Sequence, residues 1–206
     1  MSENLARFVL FFPVFLFSLS FHECAHAFVA NRLGDPTARM LGRMTLNPFP
    51  HIDIIGTVVF PLMMFLMPGL MLFGWAKPVP VNARYLRRRG EFYVAAAGPV
   101  SNLLLALLFV GIIRLSLGSD LFPLPILTQM FEIGVFLNLM LAIFNLVPIY
   151  PLDGEKVLEG ILPTRYLSVF DRIKPYGMWI LMAAFITGVF RYLTIPVYRI
   201  AGWMLP

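Results

Sequence analysis

A single cysteine, Cys24, stands among 206 residues, so no intramolecular disulfide framework holds the chain and no cysteine cluster competes for a metal. Charge is scarce too. Asp, Glu, Lys and Arg make up 13% of the residues, against roughly a quarter in a soluble domain. No internal repeat is evident, and many transporter folds are built from such repeats. The net charge of +5 would suit a nucleic-acid partner on a soluble protein. On a chain this apolar, excess Lys and Arg mark cytoplasmic loops instead, so nucleic acid is not an expected partner.

What is abundant is apolar sequence, 59% of residues, in runs that approach or exceed the ~20 residues needed to cross a bilayer. The runs cover 8–30, 54–75, 92–117, 126–147 and a region from 176 onward. These predict an all-α polytopic membrane protein, a bundle of about four to six transmembrane helices. Residues 1–206 read as one integral-membrane domain, with a catalytic core over about 8–160 and a C-terminal membrane segment over about 176–206. The connections 31–53 and 76–93 are basic and are expected in the cytoplasm. The stretch 54–75, broken by Pro61 and Pro68-Gly69, must then leave and return on one side, as a re-entrant segment shielded by protein. The connection 118–125 holds no basic residue and is expected outside, which brings the basic stretch 155–175 back to the cytoplasm.

The first span carries His22-Glu23-Cys24-Ala25-His26. Residues four apart share a helix face, so both imidazoles can meet one metal ion, while Glu23, one step round, can reach a water on it. Catalytic zinc takes three protein ligands and a water. The expected third is Asp153, at the cytoplasmic end of span 126–147 and at the depth of His26. There Pro148 and Pro151 stop the helix and allow the chain to fold back. Cys24 fills a free position of the pentapeptide and is expected to be an apolar filler.

Three motifs give the chain its resemblance to the site-2 protease family of intramembrane zinc metalloproteases, in its small bacterial and archaeal branch. They are His22-Glu23-Cys24-Ala25-His26, Gly98-Pro99-Val100-Ser101-Asn102, and Asn145-Leu146-Val147-Pro148-Ile149-Tyr150-Pro151-Leu152-Asp153-Gly154. Stretches 42–48 and 75–82 are similar to that branch as well, and the likeness covers roughly 15–160. It departs at Ile54, where proline is expected.

The resemblance implies one zinc ion per chain on His22, His26 and Asp153, with Glu23 as the catalytic carboxylate. It also implies hydrolysis of peptide bonds in or beside transmembrane segments of other membrane proteins. Asn145, Asn102 and His51 are expected near the substrate or its oxyanion, although satisfying local carbonyls is an equal role for Asn145 and an interhelical hydrogen bond is the better reading of Asn102. Short extended segments near the site are expected to hold the unwound substrate, from 35–53 or the re-entrant stretch. The chain is expected in the cell membrane as a multi-pass protein, with its site near the cytoplasmic side and with lipid, substrates and an unidentified regulatory partner around it. The competing reading is a metal-ion transporter or channel using the same His, Glu and Asp cluster.

Overall fold

A computed structural model describes residues 3–67, 74–117 and 125–206. Its regular structure is helical, with no strand among the described residues. The long helices are α1 (Glu3–Arg32), α4 (Arg88–Leu117) and α5 (Pro125–Asn145). Short ones lie between and after them: α2 (Thr37–Met40), α3 (Phe60–Leu66), α6 (Asp153–Ile161), α7 (Thr164–Ile173), α8 (Gly177–Ile186) and α9 (Thr194–Met204).

Helix α4 shows why these elements suit a membrane. Its charges lie at its ends, Arg88, Arg89 and Glu91 at one and Arg114 at the other, and everything between is uncharged. Apolar side chains run all round it, which is the pattern of a helix that meets protein on one side and lipid on the other. Leu105, Ala106, Phe109, Val110 and Ile113 are buried, while Leu104, Leu107 and Leu108 stay outside. The buried face packs with Val14 of α1, Val135 and Leu139 of α5, and Val197 and Ala201 of α9.

Among the described residues three helices, α1, α4 and α5, are long and apolar enough to cross a membrane. A fourth crossing requires Thr164–Ile186 and Val189–Met204 to be taken together, and these meet at an 80° bend. The bend falls at Gly188, whose φ of +71° is a conformation that costs glycine little. The stretch read as a cytoplasmic loop, 155–175, is in fact mostly helical. Helix α7 places Tyr166, Val169, Phe170 and Ile173 at helical spacing along one face, and none of its residues is buried.

The segment around 54–75 leaves and returns at one place. Asp53 caps a π-helical turn, Ile54–Val59, by accepting from the Gly56 N–H at 2.8 Å. After α3 and the residues outside the described set, the Trp75 N–H donates to the Gly56 carbonyl at 3.1 Å and the Lys77 N–H to the His51 carbonyl at 2.8 Å. Both mouths of the excursion therefore touch, as a re-entrant segment requires. Gly56 is needed there, because a Cβ would fall 2.3 Å from the Trp75 ring. Ile54, the departure from the expected proline, opens the π turn with its side chain exposed. Beyond the mouth, 74–82 runs without helix or ladder. It is the chain without regular structure that runs beside the site, whereas the expectation placed such a segment in 35–53 or in the re-entrant stretch itself.

Candidate active site

Helix α1 carries His22, Glu23 and His26 into the bundle interior, all three buried. Asp153 enters from the first turn of α6, which starts where the run 146–152 turns back from α5. Gly154 permits that approach: a Cβ there would lie 2.3 Å from the Leu146 carbonyl oxygen. The expected ligands accordingly converge. His22 Nε2 and His26 Nε2 are 3.0 Å apart, and Asp153 Oδ2 is 3.1 Å from the first and 3.3 Å from the second.

Hydrogen bonds to the far ring nitrogens decide what those atoms are. His26 Nδ1 donates to the Val94 carbonyl at 2.6 Å, and His22 Nδ1 donates to Asn102 Oδ1 at 2.6 Å. With the ring proton on Nδ1 in each neutral imidazole, both Nε2 atoms are bare lone pairs. Asp153 Oδ2 is buried with no hydrogen-bond donor. Three acceptors facing one another in an apolar interior are suited to a shared cation. Two imidazoles and a carboxylate are a catalytic zinc donor set, for which ligand bonds of ~2.0–2.2 Å correspond to tetrahedral edges of about 3.3–3.6 Å. The observed spacings lie close to that. The residues present fit zinc, and among the described residues they are the only group of three or more His, Cys, Asp or Glu side chains so arranged.

Gly98 of the second motif keeps this space open. A Cβ on it would sit 2.4 Å from His26 Nε2 and 2.5 Å from His22 Nε2, so any other residue would intrude on the ligand atoms. Ser101 turns its hydroxyl to the Gly98 carbonyl at 2.7 Å. Glu23 lies beside the cluster, where its Oε2 accepts from the Val79 N–H at 2.7 Å.

These groups open on a cavity of about 800 Å³. Its lining includes the 74–83 segment, with Trp75, Ala76, Pro78 and Val79, and α8, with Met178, Leu181, Met182 and Phe185. The 75–82 segment is held from behind. Thr57 Oγ1 donates to the Trp75 carbonyl at 2.8 Å, Arg43 to the Lys77 carbonyl at 2.7 Å, and the Asn82 N–H to Asp35 Oδ2 at 2.7 Å. Burial pushes the Asp35 carboxyl up, but hydrogen bonds from Thr37 and Asn82 win and hold it below its ordinary range. At the cavity rim Lys156 pairs with Glu91 at 2.8 Å and Glu159 at 3.1 Å. Partial burial opposes its charge, yet those two carboxylates raise it above the ordinary lysine range.

The remaining candidates divide. Asn145 lines the cavity, but its Nδ2 donates to the Leu141 carbonyl one turn back at 2.9 Å. Asn102 is wholly buried and does not line the cavity, so the expectation that it meets substrate or oxyanion is corrected: its oxygen orients His22 and its nitrogen bonds Asn138 across helices. His51 is also corrected. It is buried under the re-entrant mouth with Nε2 on the Thr45 carbonyl at 3.0 Å, and it is absent from both the ligand group and the cavity wall.

The sequence reading missed Asn138, Ser18, the Val79 N–H and the α8 wall. Asn138, a lone amide in the middle of an apolar span, was the one signal available for the first two.

Fold and site together define a membrane protein with a buried two-histidine, one-carboxylate metal site and a carboxylate beside it. Comparison with known proteins agrees. The profile of Peptidase family M50 matches residues 122–188. YwhC of Bacillus subtilis, named provisionally as a zinc metalloprotease, is 39% identical over 187 residues, 87% of this chain and 81% of that protein. Rip2 of Mycolicibacterium smegmatis, named in the same way, is 31% identical over 184 residues, 87% of this chain and 68% of that protein. Zinc metalloprotease MJ0392 of Methanocaldococcus jannaschii is 28% identical over 176 residues, 81% of this chain and 38% of that protein. No solved structure matches. The chain belongs to Peptidase family M50, the site-2 proteases.

Proposed function

We propose that the protein is an intramembrane zinc endopeptidase, binding one zinc ion and cutting peptide bonds in or near transmembrane segments of other membrane proteins. One observation carries the reading. Three acceptor atoms, from two imidazoles and a carboxylate, meet a second carboxylate, Glu23, inside a bundle of membrane-length helices, on the wall of a cavity large enough for an unwound peptide. Zinc bound there supplies a Lewis acid that polarises a carbonyl and acidifies water.

The rest is done by the chain. Glu23 takes a proton from the attacking water on its carboxylate and returns it to the leaving nitrogen. The Val79 N–H, now on Glu23 Oε2, fixes that carboxylate toward the cavity. A substrate helix hides its carbonyls in its own hydrogen bonds, so it must be opened before attack. The 75–82 segment suits that task. Residues 75, 77 and 78 give backbone groups to Gly56, Thr57, His51 and Arg43 and the Val79 N–H goes to Glu23, while Ala76 lines the cavity and has no backbone partner outside helices among the described residues. An extended substrate laid along that edge gains backbone hydrogen bonds. The apolar wall of α8 excludes water from the rest of the peptide.

The positive-inside rule supports an orientation with 31–53 and 76–93, and hence the site, near the cytoplasmic face. The test is Glu23→Gln in proteoliposomes with a model transmembrane substrate. It is expected to keep zinc and lose cleavage by at least ~100-fold, the lower range for a general acid–base group. Retained cleavage would sink the mechanism, and zinc flux from an uncleaving wild type would favour transport.

A further inference from the structure

Asn138 lies in the middle of α5, wholly buried, and no step of hydrolysis uses it. Its side chain joins three helices. Nδ2 donates to the Gly134 carbonyl one turn back and to Ser18 Oγ of α1, each at 2.8 Å. Oδ1 accepts from Asn102 Nδ2 of α4 at 2.7 Å. Asn102 Oδ1 then faces His22 Nδ1 at 2.6 Å.

The polarity of this chain is fixed from its far end. A side-chain amide is assigned by its partners, and a backbone carbonyl only accepts. The Gly134 carbonyl therefore sets Nδ2 of Asn138 toward itself and leaves Oδ1 toward Asn102. That oxygen in turn demands Nδ2 of Asn102, which presents Oδ1 to His22. His22 must then carry its proton on Nδ1, leaving Nε2 bare toward Asp153. His26 gets the same tautomer directly, from the Val94 carbonyl. The two ligands are thus oriented by backbone carbonyls, one in contact and one through two asparagines.

We propose that Asn138 is a positioning residue for the metal site, holding Asn102 in the one orientation that keeps His22 in its metal-ligating tautomer. The inference rests on the zinc reading above. A leucine at 138 would leave Asn102 free to turn its NH2 toward His22, and the imidazole would then answer with a bare Nδ1 and a protonated Nε2. Aspartic acid at 138, kept neutral by this apolar interior, would donate its O–H to the Gly134 carbonyl, still accept from Asn102 and so preserve the tautomer. Ser18 is only the second acceptor for Asn138 Nδ2, so removing its hydroxyl leaves the Gly134 carbonyl in charge.

The test uses the full chain, purified and stripped of metal, and reads two things. One is zinc affinity by chelator competition. The other is the ring tautomer of each histidine by 15N-histidine NMR, practicable because the chain has three histidines. Asn138→Leu is expected to lower zinc affinity roughly 10- to 100-fold, as loss of an outer-shell partner does. It should put His22 into mixed tautomers and leave His26 unchanged. Asn138→Asp and Ser18→Ala are expected to keep the wild-type tautomer and affinity.

Wild-type affinity and tautomer in Asn138→Leu would overturn the proposal. So would a loss in Ser18→Ala equal to that in Asn138→Leu, since that is what a purely structural tie between helices predicts. Should Asn138→Leu fail to fold, Asn138→Ser, too short to reach Asn102, must show the same loss. If the wild type binds no zinc, the zinc reading fails, while the tautomer comparison still decides the role of Asn138.

Discussion

Two glycines on α4 make a controlled experiment. A Cβ on Gly98 would lie 2.4 Å from His26 Nε2 and 2.5 Å from the Nε2 and Cε1 atoms of His22, whereas a Cβ on Gly111 meets nothing within 4 Å. Ordinary carbon–nitrogen contact needs roughly 3.5 Å, a distance typical of packed atoms. Gly98→Ala therefore has to push both imidazoles back by about 1 Å. The rings have little room to retreat, because their Nδ1 atoms are bonded at 2.6 Å to Asn102 and to the Val94 carbonyl.

The displaced rings cannot both face Asp153, so at least one ligand is lost and zinc affinity should fall by two orders of magnitude or more. At zinc near 1,000 times the wild-type Kd, binding adds about 4 kcal/mol to stability, and Gly98→Ala should lose most of it. Gly111→Ala should bind zinc as the wild type does and gain up to about 1 kcal/mol from the better helix former. The assay is thermal unfolding of each protein with and without saturating zinc, beside chelator competition for affinity. Wild-type zinc affinity in Gly98→Ala would refute the assignment of this space to the metal.

Two further outcomes test the scaffold. Asp35→Asn replaces one of the oxygens that accept from Thr37 and Asn82 with a donor and should cost about 1–3 kcal/mol. It should also loosen 75–82, so kcat/KM for a membrane substrate falls while zinc affinity holds. Lys174→Met leaves Glu155, buried and 2.5 Å from the lysine, without its cation. The expected cost is again about 1–3 kcal/mol, read as a lower Tm that Glu155→Gln in the same chain partly restores.

The convergence of His22, His26 and Asp153 was legible because helical periodicity and composition speak to it directly. An i, i+4 histidine pair on an apolar span points to one metal, and the carboxylate at a proline-broken helix end was the candidate third ligand. That the chain leaves and returns at one place around 54–75 was expected from charge, since both of its flanks are basic. What the sequence hid was tertiary. His51 and Asp53 form a His/acid pair on paper, but Asp53 caps a turn and His51 turns Nε2 to the Thr45 carbonyl. Asn102 sits in a recognisable motif, yet its direction depends on Asn138, which no motif marks. The bend at Gly188 and the exposed helix α7 were hidden for another reason. A run of apolar and basic residues fits a crossing, a broken crossing or a surface helix until packing chooses.

The three ligands rest on two different kinds of support. His22 and His26 come from one helix, and their rings are fixed by neutral groups deep in the bundle, the Val94 carbonyl and the pair Asn102–Asn138. Asp153 comes from α6, a short helix that could not hold itself in place. It is anchored instead by charges near the surface: Arg88 of α4 donates to the Glu159 carbonyl at 2.9 Å and to that of Leu162, and Lys156 reaches back to Glu91 of α4. Neutral hydrogen bonds in an apolar interior gain strength and are indifferent to salt, whereas partly exposed ion pairs are screened. The histidine arm is therefore fixed by contacts that salt leaves alone, and the aspartate arm in part by an ion pair that salt weakens.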